Sequence, residues 1–378
     1  MHLLGILLCP LALASPLARR GGSAASEVAE CSNSTASIYS MGGNAIDAAI
    51  ATILCVGTIA HHHSGIGGGG FALIRLPNGT THFLDFREMA PAASSEGMFL
   101  SPNSSSLVGG LASGVPGELR GLEEMSRRWG RLKWEKLFQP AIKYAEGGFT
   151  VNRDLDVAAN TTIYPFLLQE EAWRRDWFGE DGGRVKVGEK MYRQRYARTL
   201  RAVAKGGADV FYKGSMARRT VQEVQKRGGI LTVEDLEGYR VRHRRVNTVQ
   251  YKGYRLSAGS APSSGAVVLS ALKIFEGWNE TKDRGLETHR LVEGIKFAYG
   301  QRTQLGDPDF VDRLEVFQIE MMSEEVAAGV RETICDVVLP NISFYDPEGI
   351  VIPTPWVFRL FVMVRRVLTC AGKEGRLI

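Results

Sequence analysis

Apolar residues cluster along the chain in stretches of two kinds. Positions 48–56 are apolar nearly all round, the mark of a buried helix. Asn44 stands where an N-cap belongs, and Asp47, three residues on, favours the positive end of the helix dipole. Gly57 is expected to follow the end of this helix. Runs 71–76 and 81–86 read as strands, and Asn78-Gly79 between them predicts a β-hairpin turn. From Val115 the pattern becomes helical. One helix is predicted from Pro116-Gly117-Glu118 to about Trp129, another over 134–146, and two more within 200–227, separated at Gly206-Gly207 and Gly214. A β region follows over 240–257, then an apolar helix over 263–277 and an amphipathic one over 288–305. Residues 15–40 are small and polar and read as leader and loop. A hairpin followed mostly by helices predicts an α/β fold, a mixed sheet covered by helical layers.

Composition narrows the class. The chain has 378 residues, 44% hydrophobic and 23% charged, enough apolar material for a large core, which excludes a disordered, collagenous or disulfide-scaffold protein. A net charge of +5 spread over so large a surface leaves no nucleic-acid footprint. No apolar run reaches the roughly 20 residues of a membrane-spanning helix. The apolar run 3–14, with Ala12-Leu13-Ala14 before Ser15, reads as a secretory leader, although no charged residue precedes it; a signal anchor or a buried strand is the alternative. Arg19-Arg20 is a candidate dibasic processing site, so residues 1–20 are set apart as signal peptide and propeptide. Asn33, Asn78, Asn103, Asn160, Asn279 and Asn341 each have Ser or Thr two places on, where chance predicts about one such match. Six sequons fit passage through the secretory pathway, and a secreted glycoprotein is expected. Without Cys9, four cysteines remain: Cys31, Cys55, Cys335 and Cys370. The first two flank one predicted helix and can be bridged easily; a Cys335–Cys370 pairing is left open.

The candidate motifs each have a plain structural reading. Gly65-Ile66-Gly67-Gly68-Gly69-Gly70 matches a dinucleotide fingerprint in letters, but it follows a helix and opens a strand, so the better reading is close approach of another backbone or a substrate. His61-His62-His63 point in different directions and have no carboxylate nearby in sequence, so they predict a structural loop and no metal site. His82, His243 and His289 form no spacing signature. The run Val241-Arg242-His243-Arg244-Arg245 reads as a solvated face. Arg87 sits just past the hairpin, where a fixed guanidinium fork suits a carboxylate ligand; an ion pair with Asp85 or Glu88 is the competing reading.

Taken together, three segments carry a specific resemblance: Gly42-Gly43-Asn44-Ala45-Ile46-Asp47-Ala48-Ala49, Ser64-Gly65-Ile66-Gly67-Gly68-Gly69-Gly70-Phe71, and Asp85-Phe86-Arg87-Glu88-Met89-Ala90-Pro91. Later matches are Gly114-Val115-Pro116-Gly117, Gly228-Gly229-Ile230-Leu231-Thr232 with Asp235-Leu236, Pro262-Ser263-Ser264-Gly265, and Ala298-Tyr299 with Arg302 and Leu305-Gly306-Asp307-Pro308. The chain resembles the γ-glutamyltransferase (glutathione hydrolase) family over about 30–355, and region 21–355 is similar to its large subunit. The resemblance implies the N-terminal-nucleophile hydrolase fold, an αββα sandwich present here only in its large-subunit part. It implies a precursor that cuts itself, and a new N-terminal Thr on the small subunit that attacks the γ-glutamyl carbonyl with its own α-amine as base. Water or an amino-acid or peptide acceptor then resolves the ester. Glutathione and other γ-glutamyl compounds are the implied substrates, with no metal or organic cofactor. Arg87 looks like the arginine that grips the substrate α-carboxylate, and loop 64–70 like backbone near the active site. Cys31 and Cys55 stand where related eukaryotic enzymes carry a disulfide.

The end of the chain departs from this pattern. After Pro347-Glu348-Gly349 and Thr354-Pro355, Val357 stands where the nucleophilic Thr is expected, and Thr354 and Thr369 lack its context. Residues 356–378 read as a divergent tail, so no catalytic residue is assigned. The missing small subunit is the expected partner, and the chain alone is expected to be inactive. The alternatives are a non-catalytic pseudoenzyme that binds a complete paralogue and a superfamily relative acting on acylated β-lactams.

Overall fold

The computed structural model describes residues 22–101, 105–159, 171–178, 183–336 and Tyr345. The leader 1–20, the tail 356–378, Cys370, Val357, Thr354, Thr369 and the sequons at Asn103, Asn160 and Asn341 lie outside the described residues. In chain order the elements are α1 (Ala29–Ser40), α2 (Ala45–Ile59), β1 (Phe71–Arg75), β2 (Thr81–Asp85), α3 (Glu118–Trp129), α4 (Trp134–Leu137), α5 (Gln139–Gly147), β3 (Phe149–Thr150), α6 (Arg153–Ala158), α7 (Glu171–Trp177), β4 (Lys190–Met191), α8 (Gln194–Gly206), α9 (Asp209–Tyr212) and α10 (Gly214–Lys226). They continue with α11 (Val233–Gly238), β5 (Arg242–Arg244), β6 (Val246–Tyr251), β7 (Tyr254–Gly259), α12 (Gly265–Glu276), α13 (Arg284–Arg302), α14 (Leu314–Met321) and α15 (Glu324–Thr333). The described residues fall into two compact units, one from stretches 1–66 and 122–223, the other from 67–121 and 224–378.

The first unit is helical. The predicted N-cap of α2 is present as a capping box: Asn44 accepts from the backbone of Ile46 and Asp47, and the Asp47 carboxylate accepts from Asn44 N at 2.9 Å. Asp47 is fully buried and also accepts from Arg131 N, which fixes the chain after α3. The expectation of loop over 15–40 fails at α1. That helix is short of apolar residues, yet Cys31, Thr35 and Ile38 fall on one buried face. Its hydroxyls donate back to carbonyls three residues earlier, as Ser34 does to Cys31 and Ser37 to Ser34, so polar residues are accommodated within the helix. The Cys31–Cys55 disulfide ties α1 to α2. Around it Val28, Ile59, Phe149, Leu155, Trp177 and Met191 form a core.

Two boundaries differ from expectation for clear reasons. Pro140, which lacks a backbone N–H, divides the predicted 134–146 helix into α4 and α5. Gly57 does not end α2, which runs on to Ile59. A Cβ at Gly57 would lie 2.8 Å from the Gly65 Cα, so the glycine admits the returning loop backbone. Beyond it, the Arg193 guanidinium caps the helix by donating to the carbonyls of Gly57 and Thr58, each at 3.1 Å.

The second unit holds the predicted hairpin and the β region. β1, β2 and β5 form a three-stranded sheet, with Phe71 opposite Asp85 and Phe83 opposite Arg244. β6 and β7 form a separate hairpin, turned at Lys252 and Gly253, both at positive φ. Every strand pairing among the described residues is antiparallel, where a mixed sheet was expected. Helix α12 packs on the β6–β7 hairpin, on α13 and on α14, around Ala266, Leu269, Ala298, Phe317 and Met321. The predicted fold class, α/β, is the one observed.

Candidate substrate-binding site

The hairpin positions Arg87. β2 ends at Asp85, and Phe86 and Gly70 exchange backbone hydrogen bonds at 3.0 and 3.3 Å, extending the hairpin past its regular strands. The Gly68 carbonyl then accepts from the N–H groups of Gly117 and Glu118, at 2.8 and 3.0 Å, where α3 begins. Three backbones converge here. A Cβ at Gly69 would lie 2.4 Å from the Phe86 carbonyl, and one at Gly117 would lie 2.0 Å from it. The glycine run therefore serves the close approach its sequence suggested, in a segment leading from helix to strand.

Arg87 is held by its backbone. Its N–H donates to Asp85 Oδ1 at 3.1 Å, and its carbonyl accepts from the Tyr239 hydroxyl at 2.7 Å. Immediately downstream, Met89 and Val115 exchange hydrogen bonds at 3.1 and 2.8 Å, and Ala92 N donates to Asp235 Oδ1 at 2.9 Å. Asp235 also closes the capping box of α11 with Thr232, so one carboxylate fixes both the helix and the 87–92 segment. The side chain remains 64% exposed, its guanidinium 3.5 Å from Glu88 and 6.0 Å from the Phe71 ring centroid. Of the two competing ion pairs, the structure supports Glu88, at long range.

Asp85 is engaged elsewhere. It is buried, and its Oδ2 accepts from Arg244 Nε at 3.0 Å. Arg244 also bonds Asp307 at 3.0 Å and Asp309 at 2.8 Å, and Arg242 reaches Asp309 at 3.0 Å. Burial works against the charge on Arg244, but the hydrogen bonds and charges of Asp309 and Asp85 outweigh it and push its pKa up. The 241–245 run is thus only in part a solvated face. Arg242 and His243 are exposed, while Arg244 turns into a network of three aspartates. Sequence reading missed this network because its partners come from distant segments. Asp307 of Leu305-Gly306-Asp307-Pro308 was the available signal.

The histidine triplet lies in the other unit and behaves as loop. His61 packs against Trp177 with ring centroids 5.0 Å apart, and His62 against His63 at 3.9 Å. Both ring nitrogens of His61 are shut off from solvent. Burial, then the positive charge of Arg193, lowers its pKa from 6.5 to about 3, although the Thr58 and Ile59 backbones oppose the shift. Structure supplies the carboxylate that sequence did not, Glu27 at 3.5 Å from His63. Among the described residues no group of three or more His, Cys, Asp or Glu could hold a metal ion. His289 bonds the Cys335 carbonyl at 2.8 Å.

Residues 31–349 match the family model described as Gamma-glutamyltranspeptidase. A glutathione hydrolase proenzyme of Arthroderma benhamiae is 44% identical over 352 residues, covering 88% of this chain and 59% of that protein. A glutathione hydrolase of Aspergillus flavus is 42% identical over 336 residues, covering 87% of this chain and 56% of that one. The crystal structure of Helicobacter pylori gamma-glutamyltranspeptidase superposes with a TM-score of 0.78 at 31% identity, covering 85% of this chain and 94% of that chain. The chain spans a little over half the length of these two curated relatives and nearly all of the solved one.

Proposed function

The chain belongs to the γ-glutamyltranspeptidase family, with the fold of its large-subunit region, and from that premise we propose that it forms the α-carboxylate-binding part of a site that transfers the γ-glutamyl group of glutathione. Arg87 is the gripping residue. Its guanidinium offers a planar fork to a carboxylate, and Glu88 is a long-range competitor that a ligand displaces. The observation that carries this reading is the contrast between an anchored Arg87 backbone and an exposed side chain. With its backbone already anchored, only the side chain is left to be ordered when a ligand binds, so less contact energy is lost than if the loop had to be ordered as well.

In this reading the bound γ-glutamyl carbonyl is attacked by a threonine on the small-subunit polypeptide, whose α-amine takes the proton. The resulting ester is resolved by water or by an amino-acid or peptide acceptor. Turnover therefore requires that polypeptide, and the carboxylate grip belongs to the large-subunit region. We also assign the protein to the secretory pathway, in keeping with the Cys31–Cys55 disulfide and the sequon excess.

Co-expression with the small-subunit region of the Arthroderma benhamiae relative tests the proposal, with release of product from a γ-glutamyl anilide as the readout. Wild-type chain is expected to give activity only in the pair. Because a charged hydrogen bond is worth about 1.5–3 kcal/mol, Arg87→Ala should raise KM by roughly 10- to 150-fold. Activity from the chain alone, or an unchanged KM, contradicts it.

A further inference from the structure

Three sequons fall on described residues, and the fold treats them differently. Asn33 is on α1, where residues two apart do not face each other, and Thr35 of its sequon is buried with its hydroxyl donating to the Ser32 carbonyl at 2.7 Å. Asn279 lies between α12 and α13, and its Thr281 hydroxyl accepts from Asp283 N at 3.1 Å. Asn78 lies at the tip of the β1–β2 hairpin. Gly79 there has a φ of +86°, Leu76 and Thr80 are joined by a backbone bond of 2.8 Å, and both Asn78 and Thr80 are exposed. Asn78 Oδ1 accepts from Thr80 N at 3.0 Å and from the Thr80 hydroxyl at 2.6 Å.

We propose that Asn78 is the principal N-glycosylation site among these three, its Asx turn presenting the amide for transfer of an oligosaccharide from a polyprenyl diphosphate. Hydrogen bonds donated to Oδ1 draw electron density from the amide and make the Nδ2–H more acidic. In the transfer Nδ2 gives up a proton to a carboxylate base of the transferring enzyme and bonds to the anomeric carbon. The bond between that carbon and the diphosphate oxygen breaks, and the polyprenyl diphosphate leaves with the electron pair. The turn is local and needs no distant partner, so it can form on a nascent chain. The five residues of β2 at about 3.3 Å each place the tip about 17 Å along the strand from Arg87, so a glycan there leaves the candidate site open.

The proposal rests on the secretory assignment, and the test separates the two. The full chain is expressed in a eukaryotic cell behind a heterologous cleavable leader and, in parallel, with its own N-terminus. Occupancy at Asn33, Asn78 and Asn279 is read by glycopeptide mass spectrometry in molecules that carry the Cys31–Cys55 disulfide. With the heterologous leader, Asn78 is expected to be the most occupied and Asn33 the least. Thr80→Ala should abolish the Asn78 glycopeptide and leave Asn279 unchanged, and Thr80→Ser should restore part of it. An unmodified Asn78, or an Asn33 or Asn279 occupied as fully, overturns the proposal. Retention of the native-leader chain in the cytosol counts against the secretory assignment alone.

Discussion

Acid should destabilise this protein through His61, and the size of the effect follows from the side chain's surroundings. The unfolded chain takes up the His61 proton near pH 6.5, whereas the folded ring, shielded from solvent and facing Arg193 and His62, takes it up only near pH 3. Protons therefore favour the unfolded state across that window. Stability is fully present above about pH 6.5 and falls by about 1.4 kcal/mol per unit as pH drops, to a total of about 5 kcal/mol near pH 3. At pH 5 the loss is about 2 kcal/mol. His62, pushed down mainly by burial and then by His63, adds a contribution in the same direction. His61→Phe isolates the first term, because phenylalanine keeps a ring against Trp177 and Phe149 and carries no proton. Urea denaturation of both proteins at pH 7.5 and 5 is the assay, with tryptophan fluorescence as readout. The variant should lose about 2 kcal/mol less than wild type between the two pH values. Parallel losses would show that His61 charges in the folded state and would refute the reasoning.

Other perturbations test the framework of each unit by the same denaturation measurement. Arg244→Met leaves the Asp85 carboxylate buried without its cation and should cost about 3–5 kcal/mol, more than any exposed arginine on the same run. Gly57→Ala drives a Cβ against the Gly65 backbone and should cost about 1–3 kcal/mol. Replacing Cys31 and Cys55 by serine frees a link across a sequence separation of 24 and should cost about 3.5 kcal/mol.

Local signals were legible in the sequence, and long-range ones were not. Asn44 and Asp47 announce the start of α2 because a capping box is written in four consecutive residues. Asn78-Gly79 announces the hairpin for the same reason. Helix α1 was hidden because its buried face is one cysteine, one threonine and one isoleucine, a pattern that polar neighbours obscure. Gly57 misled because a glycine after an apolar run usually marks a helix end, whereas here the constraint comes from Gly65, outside the helix. The place of Arg87 just past the hairpin was legible, since the hairpin fixes its backbone locally. The pairing of Asp85 with Arg244 in place of Arg87 joins positions 159 residues apart and has no local signature.

The central claim is that Arg87 grips an amino-acid carboxylate. The most direct test is a crystal structure of the chain assembled with a small-subunit region and soaked in glutathione. The account predicts the substrate α-carboxylate at about 2.7–2.9 Å from the Arg87 guanidinium nitrogens, with the Glu88 contact broken. A ligand bound away from Arg87, or one whose carboxylate is held by other residues, would contradict it.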